Sequence, residues 1–91
     1  MKPVTSRIGR PHTDVISRQM GDGAVLVHLA TNTIFELNRT GARVWELLGQ
    51  GLSSSGIAAT LVEEFQVEID RASREVDDLI ERLTAAGLLT S

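Results

Sequence analysis

The segment TNTIFELNRTGARVWELL, residues 31–48, changes its hydrophobic period near the middle. Up to Leu37 the apolar residues are bunched or alternate, as in a short β-strand. The apolar residues after Asn38 have helical spacing: Val44, Trp45, Leu47 and Leu48. The segment therefore predicts a strand that leads directly into a helix over residues 39–48. Asn38 is the expected N-cap, because its side-chain oxygen can accept a free N–H group of the first turn.

Two further strands are predicted before this junction. Residues 13–19, TDVISRQ, and residues 24–30, AVLVHLA, are joined by the glycine-rich turn GDG. The short turn ATNT then leads to the third strand, TIFELN. Strands with such short connections pair in sequence order as an antiparallel meander. We therefore expect the third strand to lie at an edge of the sheet.

Two more helices are predicted after the junction. Ser53 is the expected N-cap of the second helix, and Asp70 is the expected N-cap of the third. The third helix has the clearest apolar stripe in the chain: Ala72, Val76, Leu79, Ile80 and Leu83. Gly87 is expected to end this helix in a left-handed conformation, with Leu88 folding back on the last turn.

The order of these elements predicts an α+β, winged-helix-like fold. An N-terminal three-stranded antiparallel sheet is followed by a three-helix bundle, and the helices are expected to pack on one face of the sheet. Trp45 is interpreted as a core residue that lies against the sheet where Phe35 and Leu37 point inward.

The charge of the chain is distributed unevenly along its 91 residues. Residues 1–12 contain two prolines, one glycine and three basic residues but no acidic residue, and are predicted to be a flexible basic arm. A single domain is expected over residues 13–91, where six basic residues stand against twelve acidic ones. This acidic body argues against nucleic-acid binding, which relies on Lys and Arg to neutralise phosphates.

No catalytic, metal or cofactor site is predicted, so we expect a protein that is not an enzyme. The chain has no cysteine, which excludes disulfides, thiolate nucleophiles and Cys-based zinc sites. His12 lies on the arm and His28 within a strand, and neither has neighbours at the spacing of a metal site or a Ser–His–Asp triad. No apolar run approaches the ~20 residues of a membrane span, and the chain is interpreted as cytoplasmic.

Three segments resemble the PqqD-like proteins, also called RiPP precursor-recognition elements. These segments are LNRTGARVWELL, GLSSSGIAATLVEEF and REVDDLIERLTAAGLL, and the resemblance extends over about residues 15–89. The positions that match the family pattern are Leu37, Asn38, Thr40, Gly41, Ala42, Val44, Trp45, Leu47, Leu48, Gly51, Ser53, Ile57, Leu61, Phe65, Val76, Leu79, Ile80, Leu83, Gly87, Leu88 and Leu89. The turn ATNT stands where the quinone-pathway members have a Pro-Glu-Gly turn. In this respect the chain is closer to the stand-alone lasso-type proteins.

The resemblance implies a non-catalytic protein that binds the leader region of a ribosomally synthesised precursor peptide. Such a protein presents the precursor to a partner, either a tailoring enzyme or a leader peptidase, as in lasso-peptide and related pathways. No cofactor, no metal, no nucleic acid and no membrane partner are expected.

The resemblance also implies where the peptide binds, in a groove between the third strand and the third helix. An extended peptide can add to an edge strand through main-chain hydrogen bonds, with alternate side chains filling pockets. The expected peptide-binding residues are Thr33, Ile34, Phe35, Glu36, Leu37, Asp77, Ile80, Glu81 and Thr84. The acidic surface would suit a leader that has Lys or Arg beside its apolar anchors.

Two alternative functions remain open at the level of the sequence. A winged-helix protein can bind nucleic acid, and the basic arm is the feature that supports this alternative. The third helix argues against it, because from Arg71 to Glu81 it has two positive and four negative residues. The second alternative is a structural subunit that stabilises an enzyme without contacting its substrate.

Overall fold

Three antiparallel strands followed by three helices form the fold, as predicted. The computed structural model describes residues 10–90. The elements are β1 (Arg10–Pro11), β2 (Val15–Met20), β3 (Gly23–His28), β4 (Thr33–Leu37), α1 (Arg39–Gly49), α2 (Ser54–Phe65), α3 (Ile69–Ala85) and β5 (Leu89–Thr90). The main sheet has the strand order β2-β3-β4, so β4 lies at an edge. The predicted meander and its predicted edge strand are both confirmed.

The two-residue turn between β2 and β3 sets the register of the main sheet. Met20 pairs with Gly23 across this turn, and Gly21 has φ +61°, a conformation that residues with a Cβ rarely adopt. At the other end of the pair, the Leu29 N–H donates to the Asp14 carbonyl at 2.9 Å. Hydrogen-bonding direction alternates along a strand, so the odd-numbered residues of β3 bond towards β2 and the even-numbered residues towards β4.

The two faces of the main sheet differ in burial. On the inner face, Leu26 of β3 and Leu37 of β4 expose only 0 % and 7 % of their surface. On the outer face, Ile16, Val27 and Ile34 form one cross-strand row, and Ile34 is 67 % exposed. The helices therefore pack on the inner face alone, as predicted.

The first two helices begin at the residues that the sequence predicts. The Gly41 N–H donates to Asn38 Oδ1 at 2.8 Å, and the Gly56 N–H donates to Ser53 Oγ at 3.4 Å. Each side chain thus satisfies one of the N–H groups that the first turn of a helix leaves without a partner. Both predicted N-caps are confirmed.

The predicted N-cap of the third helix is wrong. Helix α3 begins at Ile69, and Glu68 takes the N-cap position without a side-chain capping bond. Asp70 lies inside the first turn, where its negative charge still interacts favourably with the helix dipole. An acidic residue near a helix start is favourable at several neighbouring positions, so its presence alone does not identify the cap.

The end of α3 follows the prediction. Gly87 has φ +78°, and the Leu88 N–H donates to the Leu83 carbonyl at 2.9 Å. This six-to-one bond after a left-handed glycine is the Schellman arrangement, in which the next apolar side chain packs on the preceding turn. Leu88 is accordingly fully buried.

The core between the inner face and the helices is aliphatic. Its buried members are Leu26, Leu37, Val44, Leu47, Leu48, Ile57, Ala58, Leu61, Ala72, Val76, Leu79, Ile80, Leu83, Leu88 and Leu89. Over residues 10–90, none of the helices is long and apolar enough to cross a membrane.

Trp45 does not occupy the predicted position. It is only partly buried and lies beside Ser17 of β2, whereas Phe35 and Leu37 line the opposite side of the molecule. Val44 is 2 % exposed and occupies the position over the core that the sequence assigned to Trp45. Adjacent helical residues point about 100° apart, so a central Val44 turns Trp45 towards β2.

The predicted basic arm, residues 1–12, ends in ordered structure. Arg10–Pro11 pair with Leu89–Thr90 as a small antiparallel sheet, and the His12 N–H donates to the Leu88 carbonyl at 3.0 Å. Residues 1–9, the rest of the predicted arm, lie outside the described residues.

Candidate functional site

Strand β4 presents backbone hydrogen-bonding groups at the free edge of the sheet. Within residues 10–90 it pairs only with β3. Its residues Thr33, Phe35 and Leu37 stand opposite the even-numbered residues of β3 and use their backbone groups inside the sheet. The N–H and C=O groups of Ile34 and Glu36 therefore point away from the sheet. Such unpaired groups form a template on which another strand can add.

A groove with a volume of about 620 Å³ lies between β4 and α3. Its floor is apolar and consists of Phe35, Leu37, Val44, Leu61 and Leu79. Its rim is charged and consists of Glu36, Arg71, Glu75, Asp78 and Arg82. An apolar floor inside a polar rim is the usual architecture of a site that holds apolar side chains and orients them with a few charges. We call this site the β4 groove.

The charges on the α3 side of the β4 groove are largely paired with one another. Arg71 Nε contacts Glu75 Oε2 at 2.9 Å, and Arg82 Nη1 lies 3.8 Å from Asp78 Oδ2. The Arg82 guanidinium also lies 5.4 Å from the centre of the Phe35 ring. Exposed pairs of this kind contribute little to stability, so these side chains can rearrange around a ligand.

Glu36 is the exception on this rim. No ion pair with another of residues 10–90 engages its carboxylate, and it is exposed on the outer side of β4. It lies next to Ile34 on the outer face of the strand, at the edge where the free backbone groups are. Glu36 is therefore available to a cation on a neighbouring strand.

The structure brings together part of the predicted set on β4. Phe35, Glu36 and Leu37 line the groove, and their contact with a peptide stays a prediction. Ile34 contributes its free backbone groups and an exposed side chain on the outer face. Thr33 lies at the start of the strand, where its Oγ1 shares a 2.8 Å hydrogen bond with Thr31 Oγ1.

The four positions predicted on α3 do not line this groove. Ile80 is in the core at 2 % exposure, and Thr84 donates its hydroxyl to the Ile80 carbonyl at 2.7 Å. With 100° between successive residues, Asp77, Glu81 and Thr84 lie on one flank of the apolar stripe, and the groove-lining residues lie on the other flank. Whether these four residues contact a peptide stays a prediction.

Sequence reasoning missed the charged side chains of α3 that line the groove. They are Arg71, Glu75, Asp78 and Arg82, and they follow one another at intervals of four, three and four residues. That spacing is visible in the sequence and indicates a continuous charged stripe beside the core. What the sequence lacks is the direction in which α3 crosses the sheet, which decides the flank that faces β4.

The two histidines are in contact, although the sequence analysis placed His12 on the arm and His28 within a strand. The rings of His12 and His28 are 4.6 Å apart between centroids. His12 Nδ1 accepts a hydrogen bond from the Asp14 N–H at 3.0 Å, which fixes the turn before β2. His28 is buried, and its Nδ1 has no hydrogen-bond partner among residues 10–90. The pair packs the segment next to β1 against β3, away from the groove.

Comparison with known proteins identifies the family. Residues 23–89 match the family described as Coenzyme PQQ synthesis protein D (PqqD). The chain belongs to the PqqD family. The predicted resemblance is thereby confirmed. The chain matches no curated protein sequence.

Two solved structures of similar proteins share the fold. One, described as "TbiB1 in Complex with the TbiA(beta) Leader Peptide", is 30% identical, with a TM-score of 0.84 over 90% of this chain and 95% of that chain. The other, "Lasso peptide synthetase B1 complexed with the leader peptide", is 26% identical, with a TM-score of 0.83 over 92% of this chain and 99% of that chain. Both of those proteins were solved with a leader peptide.

Proposed function

We propose that the protein binds the leader region of a ribosomally synthesised precursor peptide at the β4 groove. The observation that carries the proposal is the edge strand β4, whose free backbone groups at Ile34 and Glu36 stand beside the β4 groove with its apolar floor. The two similar proteins that were solved with leader peptides support it. The leader adds as a fourth strand, and main-chain hydrogen bonds supply a sequence-tolerant part of the affinity.

The side chains of the added strand divide between two faces. Alternate residues of the leader point to the inner side, where the apolar floor of the β4 groove takes up aliphatic or aromatic anchors. The remaining residues point to the outer side beside Ile34 and Glu36. The unpaired carboxylate of Glu36 favours Lys or Arg at a leader position beside it.

The protein is non-catalytic in this proposal. It captures the precursor and delivers it to a separate tailoring enzyme or leader peptidase, in a lasso-peptide or related pathway. Binding by strand addition uses backbone groups and apolar contacts, so no titratable group has to change its protonation state.

A pair of substitutions at one position tests the strand addition. Ile34→Pro removes both the side chain and the outward N–H, whereas Ile34→Ala removes the side chain alone. One hydrogen bond contributes about 0.5–1.5 kcal/mol, so we expect the proline variant to bind the leader about two- to thirteenfold more weakly than the alanine variant. The measurement is fluorescence anisotropy with a labelled leader from the precursor encoded beside this protein, after circular dichroism has verified that both variants fold.

Equal affinity of the two folded variants would contradict strand addition at β4. Failure of the wild-type protein to bind that leader at micromolar concentration would contradict leader recognition itself.

A further inference from the structure

The outer face of the main sheet carries most of the exposed large apolar side chains among residues 10–90. These side chains belong to Ile16, Met20, Leu29, Ile34 and Ile69. Ile16, Met20 and Ile34 lie on the outer face, and Leu29 directly follows β3. They remain exposed because the helices pack on the inner face. An exposed apolar patch of this kind on a soluble protein marks an interaction surface.

The strand register divides the outer face into cross-strand rows. One row is apolar and consists of Ile16, Val27 and Ile34. The next row has opposite charges at its two ends, with Arg18 on β2 and Glu36 on β4, and Val25 of β3 lies between them. Neither charge forms an ion pair with another of residues 10–90. Two strand spacings of about 4.8 Å separate them, so they do not meet within one chain.

This arrangement of side chains is complementary to itself. Two copies of the chain can pack face to face about a two-fold axis parallel to β3, with their strands nearly aligned. The rotation exchanges the β2 side and the β4 side of the face. Arg18 of each copy then lies opposite Glu36 of the other copy, and Ile16 lies opposite Ile34. The valines of β3 meet at the centre. Every contact occurs twice, as in an isologous interface.

The two charges select this axis over the other face-to-face arrangements. A two-fold axis that crosses the strands along the charged row would place Arg18 opposite Arg18 and Glu36 opposite Glu36. The same axis placed between the two rows would place Arg18 opposite Ile16. The first arrangement brings like charges together, and the second covers a charge with an apolar side chain, so both are unfavourable.

We propose that the outer face of the main sheet docks a second copy of this chain, in a two-fold dimer oriented by two reciprocal ion pairs between Arg18 and Glu36. The proposal does not rest on the proposed function. It uses side chains of the outer face and leaves the edge backbone groups of β4 free for a leader.

The size of the face determines how strong this dimer is. Three strands about 4.8 Å apart, with about six residues each at ~3.3 Å per residue, cover roughly 15 by 20 Å. This footprint is well below the roughly 800 Å² per partner of a standard stable interface. The dimer is therefore weak, forms at high protein concentration and dissociates on dilution.

Reversal of the two charges tests the dimer. Sedimentation equilibrium of the full chain between about 10 μM and about 1 mM covers the range expected of such a small contact. Arg18→Glu replaces both reciprocal ion pairs with like charges and should weaken dimerisation about tenfold or more. The double variant R18E/E36R exchanges the charges and restores the pairs. Its dimer affinity should return to within about threefold of the wild type, because the two substitutions are coupled.

Two controls separate this contact from general charge effects and from the leader site. Arg74→Glu makes the same change of net charge at an exposed position of α3 and should leave dimerisation unchanged. Arg18→Glu should bind a leader as the wild type does, because Arg18 lies on the strand opposite the β4 edge. A leader that fails to bind contradicts the proposed function alone, and a chain that fails to dimerise contradicts this inference alone. Circular dichroism verifies that each variant folds.

Three outcomes would overturn the dimer. In the first, the wild type remains monomeric up to about 1 mM, which would leave the face to a different protein. In the second, R18E/E36R associates as weakly as Arg18→Glu, which would exclude the reciprocal ion pairs. The third concerns Ser17 and Gln19, whose backbone groups point away from β3. Protection of their amides from hydrogen exchange on dimerisation would place the contact at the β2 edge instead.

Discussion

The two edges of one small sheet have different surroundings. The β4 edge adjoins a groove with an apolar floor and a rim on which only Glu36 is left without an ion pair among residues 10–90, whereas the β2 edge adjoins Trp45 and Phe65 and a lining with three arginines and three carboxylates. Both edges expose backbone groups that a strand can use, so the backbone does not distinguish their ligands. The difference lies in side chains supplied by the helices. Edge pairing provides general affinity for an extended chain, and the neighbouring helix determines which chain is preferred.

The largest expected effect is on the stability of the sheet that carries both edges. Leu26→Ala truncates a fully buried side chain on β3, the strand that separates them. A cavity of this kind lowers the free energy of unfolding by about 2–5 kcal/mol. Urea denaturation followed by circular dichroism measures the loss. Leader binding at the β4 edge should weaken only in proportion to the unfolded fraction, and a larger loss of binding in fully folded protein would contradict this expectation.

The next largest effect should change leader binding at the β4 edge and leave the β2 edge unaffected. Phe35→Ala removes the aromatic floor of the β4 groove and the ring over which Arg82 lies. Truncating a central anchor predicts a loss of leader affinity of about tenfold or more. The Trp45 emission should be unchanged, because Trp45 lies beside the opposite edge of the sheet. A leader titration and a tryptophan spectrum on the same sample check both expectations. An unchanged leader affinity, or a shifted Trp45 emission, would contradict them.

A smaller effect tests whether Glu36 forms an ion pair with a cation of the leader. For a leader with Lys or Arg beside Glu36, substitution Glu36→Gln should weaken binding by up to about fivefold, the range of an exposed ion pair. The difference should shrink in high salt, because exposed charges are screened. A double-mutant cycle with the leader cation changed to Gln isolates the pair. Additive losses in that cycle would exclude the contact.

The smallest effect concerns the ion pair between Arg43 of α1 and Glu64 of α2. The pKa of Glu64 is lower in the folded protein because Arg43 hydrogen-bonds to its carboxylate. The resulting stabilisation is present above the ordinary Glu pKa of about 4.3 and is lost as the pH falls through the lower folded value. Thermal unfolding of the wild type should therefore depend more steeply on pH in this acidic range than that of Glu64→Gln. Parallel curves for the two proteins would show that the ion pair between Arg43 and Glu64 does not stabilise the fold.

The sequence predicts the strand order, the edge position of β4 and two of the three helix caps, because these features depend on local patterns. It does not predict which flank of α3 faces β4, since a stripe such as Val76 and Leu83 identifies the buried face but not the crossing direction. The predicted position of Trp45 is wrong for a related reason. Val44 and Trp45 are adjacent apolar residues, and only the packed structure decides which of them lies over the core.

The central claim is that a leader peptide becomes the fourth strand at β4, and amide hydrogen exchange tests it most directly. Backbone amides of Ile34 and Glu36 point away from the sheet in the free protein and should become protected when the leader binds. Those of Ser17 and Gln19 on β2 should keep their exchange rates in the same sample. Unchanged exchange at Ile34 and Glu36 in a saturated complex, or protection that appears on β2 instead, would contradict the account.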